Sequence, residues 1–263
     1  MKLLSIVSSN RKNGNTERFV RHIEKEFLQV AKDKNIPVAL EQINLGSLNI
    51  KFCLGCRICF DKGEALCPLK DELLTIKEKL DEADGLILAS PVYVEDINGI
   101  MKNWIDRMAF NCYRPAFAGK TAVVITTSGV GSTNHAIKTM SKALQTWGFH
   151  FSAKGKFKTG GYIEENQITS RYGDEIKVIS NKLFKSINRR KAEKPSFYSL
   201  MVFKVQQKYW RKIKSQENNF NYLYWENKGW LKEDCNFYIS HNSNYIKIKL
   251  AGIIGTIMGI FFT

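Results

Sequence analysis

Short apolar runs alternate with amphipathic stretches through residues 1–190, and few architectures accept that order. Residues 3–7, 85–89 and 121–125 are almost continuously apolar and of strand length, as parallel strands covered on both faces must be. Residues 38–45 alternate more and suit an edge strand; a fifth strand is expected near residues 149–153. Between them Phe19, Ile23, Phe27 and Val30 recur at helical spacing. So do Leu69, Leu73, Ile76, Leu80 and Ala83, and so do Ile100, Met101, Trp104, Ile105 and Met108. Further helices are expected over residues 134–147 and 174–189. Strand and helix take turns, which predicts an α/β domain on a doubly wound, five-stranded parallel sheet.

The 263 residues exceed one such domain, and composition changes after residue 190. We therefore expect a domain over residues 1–190 and a mostly helical extension over residues 191–263. KAEKPSFYSL reads as a linker, and beyond it aromatic residues are dense, Trp210, Trp225 and Trp230 among them. Residues 196–214 suit a helix with Tyr198, Val202, Val205, Tyr209 and Ile213 along one stripe. The tail LAGIIGTIMGIFFT, residues 250–263, is intensely apolar but shorter than the about twenty residues a spanning helix needs. The expectation is that the extension folds back onto the domain or onto a second copy, with the three tryptophans among the contacts. A weak membrane-surface contact through the tail, aided by Lys247 and Lys249, is the competing expectation.

The formal charge of +15 raises the question of a nucleic-acid partner. Residues 191–263 carry 11 Lys and Arg against 5 Asp and Glu, which leaves 29 against 20 for the rest. The excess is spread along the chain, and no nucleic-acid module is recognisable, so no specific nucleic-acid partner is expected. The N-terminus reads as a strand and not as a signal peptide, which predicts a cytoplasmic protein with reduced thiols.

Against that background FCLGCRICFDKGEALCP, residues 52–68, stands out: Cys53, Cys56, Cys59 and Cys67 are separated by two, two and seven residues. Packing uses single cysteines, whereas four so close together point to metal or redox chemistry. Cys112 and Cys235 lie apart and are read as having no role.

Ligands of open parallel sheets bind outside the carboxyl ends of the strands, so three loops matter. After the first strand comes SSNRKNGNT, residues 8–16. Its hydroxyls, amides, Gly14 and Arg11 meet where the next helix turns its free N–H groups and positive dipole end outward, an anion cradle. Neither GxGxxG nor a P-loop pattern is present. After the third strand comes SPVYVEDINGIMKNWIDR, residues 90–107: Pro91 stiffens the exit, and Val92 and Tyr93 offer flat apolar contact. After the fourth comes TTSGVGS, residues 126–132, where Gly129 and Gly131 permit close backbone approach. An anion cradle beside a flat slot suits a mononucleotide with a large ring, and FMN has that outline.

SSNRKNGNT resembles the GSPRKNGNT phosphate loop of the NAD(P)H-dependent FMN reductases and iron-sulfur flavoproteins, a flavodoxin-like family. DEADGLILASPVYVEDINGIMKNWIDR resembles their ring-contacting segment, and CLGCRIC with Cys67 is similar to their cysteine loop; together these cover residues 1–190. The resemblance implies that Ser9, Arg11, Asn15 and Thr16 hold the FMN phosphate. It implies that Pro91, Val92, Tyr93 and Val94, with Ser128 and Gly129, surround the ring, and that no catalytic side chain is required. Ser8 stands where the family usually has Gly and Asn10 where it usually has Pro, so a differently shaped or looser phosphate loop is expected.

For the four cysteines three occupancies stay open: a 4Fe-4S cluster with one thiolate per iron corner, free or redox-active thiols, or zinc, which usually draws its ligands as two separated pairs. The implied activity is an FMN-dependent NAD(P)H oxidoreductase passing electrons from NADH or NADPH to an unknown small-molecule or protein acceptor, acting as a homo-oligomer. The alternatives are a non-enzymatic electron carrier reduced by a ferredoxin-like partner and, third, a zinc-stabilised basic binding module.

Overall fold

A computed structural model describes residues 1–189, 194–213 and 219–261. The expected boundary at 190/191 falls outside the described residues, as do Lys214 and the last two residues of the apolar tail. Five strands, β1 (Lys2–Val7), β2 (Ala39–Asn44), β3 (Gly85–Tyr93), β5 (Thr121–Ser128) and β6 (His150–Lys158), form one parallel sheet in the order β2-β1-β3-β5-β6. A two-residue strand, β4 (Asp96–Ile97), returns antiparallel against the end of β3. The winding reverses between β1 and β3, and the carboxyl ends of both point to one edge.

Successive residues of a strand face opposite sides, which explains why the central runs are apolar throughout. Leu4, Ile6, Leu86, Leu88, Ala122 and Val124 face one layer with α3 (Leu73–Glu82), α4 (Gly99–Arg107) and α5 (Asn134–Thr146). Leu3, Val7, Ile87, Ala89, Val123 and Ile125 face the other, beneath α1 (Asn15–Asp33) and α6 (Glu165–Ile187). Each such side chain contributes roughly 1.5–3 kcal/mol on burial.

Three elements differ from expectation. Helix α7 (Phe197–Lys212) buries Leu200, Phe203 and Trp210, while the expected stripe of Tyr198, Val202, Val205, Tyr209 and Ile213 is only half-buried. β6 runs to Lys158 because it pairs with β5 along its whole length; in KGKFK only Gly155 and Phe157 turn inward, so an edge strand hides behind outward lysines. α6 starts at Glu165, nine residues before the expected start, where the Glu164 and Gln167 side chains cap each other's backbone N–H groups.

The extension folds onto the domain. Helices α7 (Phe197–Lys212), α8 (Phe220–Asn227) and α9 (Tyr245–Phe261) share a core of Leu200, Phe203, Trp210, Trp225, Trp230 and Tyr238. Trp225 donates its indole N–H to the Tyr113 carbonyl at 2.8 Å, and the Trp210 and Tyr113 rings meet edge-on at 5.4 Å. Trp230 lies one layer out, against Trp225 and Tyr238. Among the described residues no helix is long and apolar enough to cross a membrane.

Candidate functional site: a cleft at the sheet edge beside a cysteine-lined cavity

The loop after β1 is shaped from within and from behind. Asn13 takes φ 58°, a left-handed conformation that asparagine tolerates, and Gly14 leads into α1 with no side chain capping the first turn. The free N–H groups of that turn therefore remain available to an anion. Ser9 is buried, and its hydroxyl accepts the Arg11 backbone N–H at 3.2 Å. Asn44, at the end of β2, accepts from the backbone N–H of both Ser9 (3.3 Å) and Gly46 (2.9 Å). A Cβ on Gly46 would stand 2.4 Å from the Ser9 carbonyl oxygen, so this position admits only glycine without distortion. Ser8 is fully buried, and its hydroxyl finds no partner among the described residues.

Thr16 is buried and shares a 2.6 Å hydrogen bond with Thr127, which ties the start of α1 to the end of β5. Asn15 turns its amide to Thr159 at 2.9 Å, while its oxygen accepts from the buried Arg18 at 2.9 Å. Arg11 is exposed, and the Arg18 guanidinium lies 4.4 Å from the Tyr162 ring centre. Arg11 and the helix N-terminus turn positive charge toward this end of the cleft, while the buried Arg18 guanidinium is paired with Glu165 at 3.8 Å.

The ring-contacting segment is a tight hairpin. Val92 and Tyr93 pair with Ile97 and Asp96, and the turn residues Val94 (φ 48°) and Glu95 (φ 69°) both lie in the left-handed region. A β-branched residue there is strained by about 1–3 kcal/mol, a cost concentrated at functional turns. Pro91 and Val92 are half-buried, Tyr93 is 50% exposed and Val94 98% exposed. Asn98 holds the base of the hairpin: its oxygen caps α4 by accepting from the Met101 N–H at 3.0 Å, and its amide donates to the Ser8 carbonyl. The Glu95 carboxylate accepts the Ser132 N–H at 3.2 Å, which staples the hairpin to the loop after β5. In that loop Ser128 is buried with its hydroxyl on the Gly131 carbonyl at 2.9 Å, and Gly129 accepts from the Gly160 N–H at 3.2 Å. The ten residues singled out for a nucleotide thus fall at one sheet edge, on strand ends, the loops that follow them and the first turn of α1. Asn44, Gly46, Asn98, Thr127 and Thr159, which fix those loops, were not singled out; only Asn98, an asparagine just before a helical stripe, carried a local signal.

Between β2 and α3 the cysteine loop, which contains the one-turn helix α2 (Ile58–Asp61), folds over α4. Cys53, Cys56, Cys59 and Cys67 all line one cavity of about 70 Å³, closed by Leu73, Arg107 and Phe110. Cys53 and Cys56 are exposed, Cys59 and Cys67 half-buried, and all are free thiols. Gly55 (φ 64°) and Arg57 (φ 63°) provide the loop's tight bends. Among the described residues no three His, Cys, Asp or Glu side chains come together closely enough to hold a single metal ion. Burial first, then the neighbouring Cys67 and Cys53, push the Cys59 thiol up.

Two buried arginines brace this loop. Arg107 pairs with Asp71 at 2.7 Å, donates to the Lys51 carbonyl at 2.6 Å and reaches Cys67 Sγ at 3.9 Å. Burial alone would raise the Asp71 carboxyl, but the Arg107 hydrogen bond and the N–H groups of Lys51 and Leu73 outweigh it and hold it below its usual value. Arg114 binds the Cys59 carbonyl at 2.6 Å, the Phe60 carbonyl at 3.3 Å and Glu64 at 2.8 Å. The extension completes the brace: Asn221 accepts from Arg114 and donates to the Phe60 carbonyl at 3.0 Å, and the Phe220 ring lies 4.9 Å from the Arg114 guanidinium.

Known proteins place this geometry. An iron-sulfur flavoprotein of Archaeoglobus fulgidus is 34% identical over 149 residues, 56% of this chain and 64% of that one. The match thus spans somewhat less than two thirds of that relative. An iron-sulfur flavoprotein of Clostridioides difficile is 25% identical over 191 residues, 73% of this chain and 81% of that one. A solved structure of RosB with a bound 8-demethyl-8-formylriboflavin-5'-phosphate intermediate aligns with TM-score 0.52 at 13% identity, over 92% of this chain and 91% of that one, a likeness of fold. The sequence profile of the NADPH-dependent FMN reductases matches residues 1–161, which reach from β1 past the end of β6 and take in all three loops of the cleft. On that match the chain belongs to the NADPH-dependent FMN reductase family, flavin-based oxidoreductases.

Proposed function

We propose that this protein is an FMN-dependent NAD(P)H oxidoreductase that passes electrons from reduced nicotinamide to a small-molecule or protein acceptor, with a 4Fe-4S cluster on the cysteine loop. The observation that carries the reading is the stapled cleft: an uncapped helix N-terminus and a strained hairpin held at one sheet edge by Asn44, Asn98 and Glu95. In it Ser9, Arg11, Thr16 and the first-turn N–H groups of α1 hold the FMN phosphate, and the buried Ser8 hydroxyl gains the partner it lacks. Asn15 shapes the wall of the cradle through Thr159. Pro91, Val92, Tyr93 and Val94, with Ser128 and Gly129, would surround the ring. When bound, FMN supplies hydride acceptance and electron release, so the chain need only bind, orient and leave one ring face open.

Cys53, Cys56, Cys59 and Cys67 would hold the cluster. Four sulfurs spread around one cavity suit a group with a thiolate at each iron corner better than zinc, which needs all its ligands on one ion. The exposed Cys53 and Cys56, with Phe52 and Leu54 beside them, favour a second reading: a carrier whose electrons leave through this loop to a protein.

Anaerobically purified protein tests both. The expected result is a yellow protein with stoichiometric FMN, iron and acid-labile sulfide, whose flavin is bleached directly by NADH or NADPH. Bleaching by reduced ferredoxin but not by nicotinamide favours the carrier. A colourless protein that neither binds added FMN nor oxidises nicotinamide refutes the flavin reading.

A further inference from the structure

The cleft leaves α9 unexplained. A strand of small residues, Ala251, Gly255 and Gly259, turns inward and lets α7 approach: a Cβ on Gly255 would lie 2.9 Å from the Met201 carbonyl oxygen and from Lys204 Cβ. With that seam against α7 and Ile248 packed on the extension's core, a row of large side chains points out. Ile246, Leu250, Ile253, Ile254, Ile257 and Met258 recur at spacings of three and four along one face, and Ile246, Ile253 and Ile257 are 65%, 56% and 51% exposed. A continuous apolar strip of this length is not left to water in a soluble monomer.

Charge decides what covers it. Lys208 of α7 and Lys249 of α9 are exposed, whereas the Lys204 ammonium donates to Gln207, Lys247 to the Pro195 carbonyl and Arg211 to the Leu231 carbonyl; neither helix contains an Asp or Glu. Lys204 and Lys208 stand beside α9 at Gly255 and Gly259, and the Lys249 ammonium lies over the Tyr245 ring. A second copy docked by a two-fold axis through α9 would bring these cations against themselves with no acid on either helix to pair them. A nucleic acid would satisfy the cations and leave the isoleucines in water. An anionic bilayer surface offers an apolar layer and negative headgroups together. Over its described residues, Tyr245–Phe261, α9 is about 25 Å long against a hydrocarbon core of about 30 Å.

We infer that α9, laid along α7, is a docking face for an anionic lipid bilayer, lying in the plane of the surface with Ile246, Ile253 and Ile257 in the headgroup boundary and Lys208 and Lys249 on the phosphates. The inference stands independently of the cofactor reading.

Flotation of the full chain with vesicles tests it. Binding is expected to vesicles of phosphatidylcholine mixed with phosphatidylglycerol, to weaken as salt rises, and to be slight with phosphatidylcholine alone. Lys208→Gln and Lys249→Gln should each weaken binding about five-fold. The double variant Ile253→Glu, Ile257→Glu should abolish it; both positions are exposed, so cooperative unfolding should persist. Absence of flotation with phosphatidylglycerol at low salt, or equal binding to both vesicle types, overturns the inference. So does a dimer in sedimentation that the Ile253→Glu, Ile257→Glu chain cannot form, since that result assigns the strip to a second copy.

Discussion

Gly46→Ala should loosen FMN while sparing the fold. Gly46 lies in the turn Leu45–Ser47, directly behind the phosphate loop. The new Cβ would stand 2.4 Å from the Ser9 oxygen and 2.8 Å from the Ser9 carbonyl carbon, both backbone atoms with no rotamer to escape into. Since real Cβ contacts stay beyond 3.0 Å, the Ser9 carbonyl must move by at least about 0.6 Å, and the Asn44 clamp on the Ser9 N–H opens with it. Overpacking of this kind costs about 1–3 kcal/mol of stability, a fall of roughly 2–10 °C in Tm. The larger effect falls on the ligand. A hydrogen bond to a charged group contributes about 1.5–3 kcal/mol, so losing one from Ser9 raises the FMN Kd about ten- to hundred-fold. Titration of FMN fluorescence measures this, with Gly99→Ala as control: it lies at the same sheet edge, and a Cβ there meets nothing within 4 Å. If Gly46→Ala binds FMN as tightly as the control, the turn does not shape the phosphate cradle and the reasoning fails.

Asp71→Asn leaves Arg107 buried without its counter-charge and should cost about 3–5 kcal/mol in urea unfolding. Because the Asp71 carboxyl is held below its usual 3.8, its contribution is complete above that pH and is lost as pH falls through the lowered value; the parent's urea midpoint should drop there and the variant's should flatten. Asn221→Ala removes the extension's bond to the Phe60 carbonyl and to Arg114, at about 1–3 kcal/mol, and should speed alkylation of Cys59; an unchanged rate would mean that α8 does not brace the loop. In unliganded protein, Cys59 should alkylate slowly until pH exceeds the ordinary thiol value of 9.0, since burial and neighbouring thiols push it up. Cys56→Ala should lower iron and sulfide content with FMN stoichiometry intact, whereas iron-free parent protein from an anaerobic preparation removes the cluster from the proposal.

Strand-length apolar runs and helical stripes are local properties, and they carried the fold. β1, β3 and β5 stand where the continuous apolar runs place them, and the apolar stripes within α1, α3 and α4 where the period of 3.6 does. β6 was legible only in its first residues, because an edge strand shows one apolar face and three outward lysines. The start of α6 rested on a reciprocal cap between Glu164 and Gln167, and a glutamate in that role leaves no apolar trace.

The site divides in the same way. Ser9, Arg11, Asn15 and Thr16 form one continuous segment, and the four cysteines lie within fifteen residues, so residue type and spacing alone announce a cradle and a thiol cluster. Asn44 behind Ser9, Thr127 on Thr16, Glu95 on Ser132 and Asn221 on Arg114 join residues dozens to more than a hundred positions apart. Those partnerships follow from the order β2-β1-β3-β5-β6 and from the packing of α8 on the cysteine loop. A polar contact between distant segments has no period, so only the tertiary structure decided which side chains hold the loops in place, and that α9 turns Gly255 and Gly259 to α7 and Ile253, Ile254 and Ile257 outward.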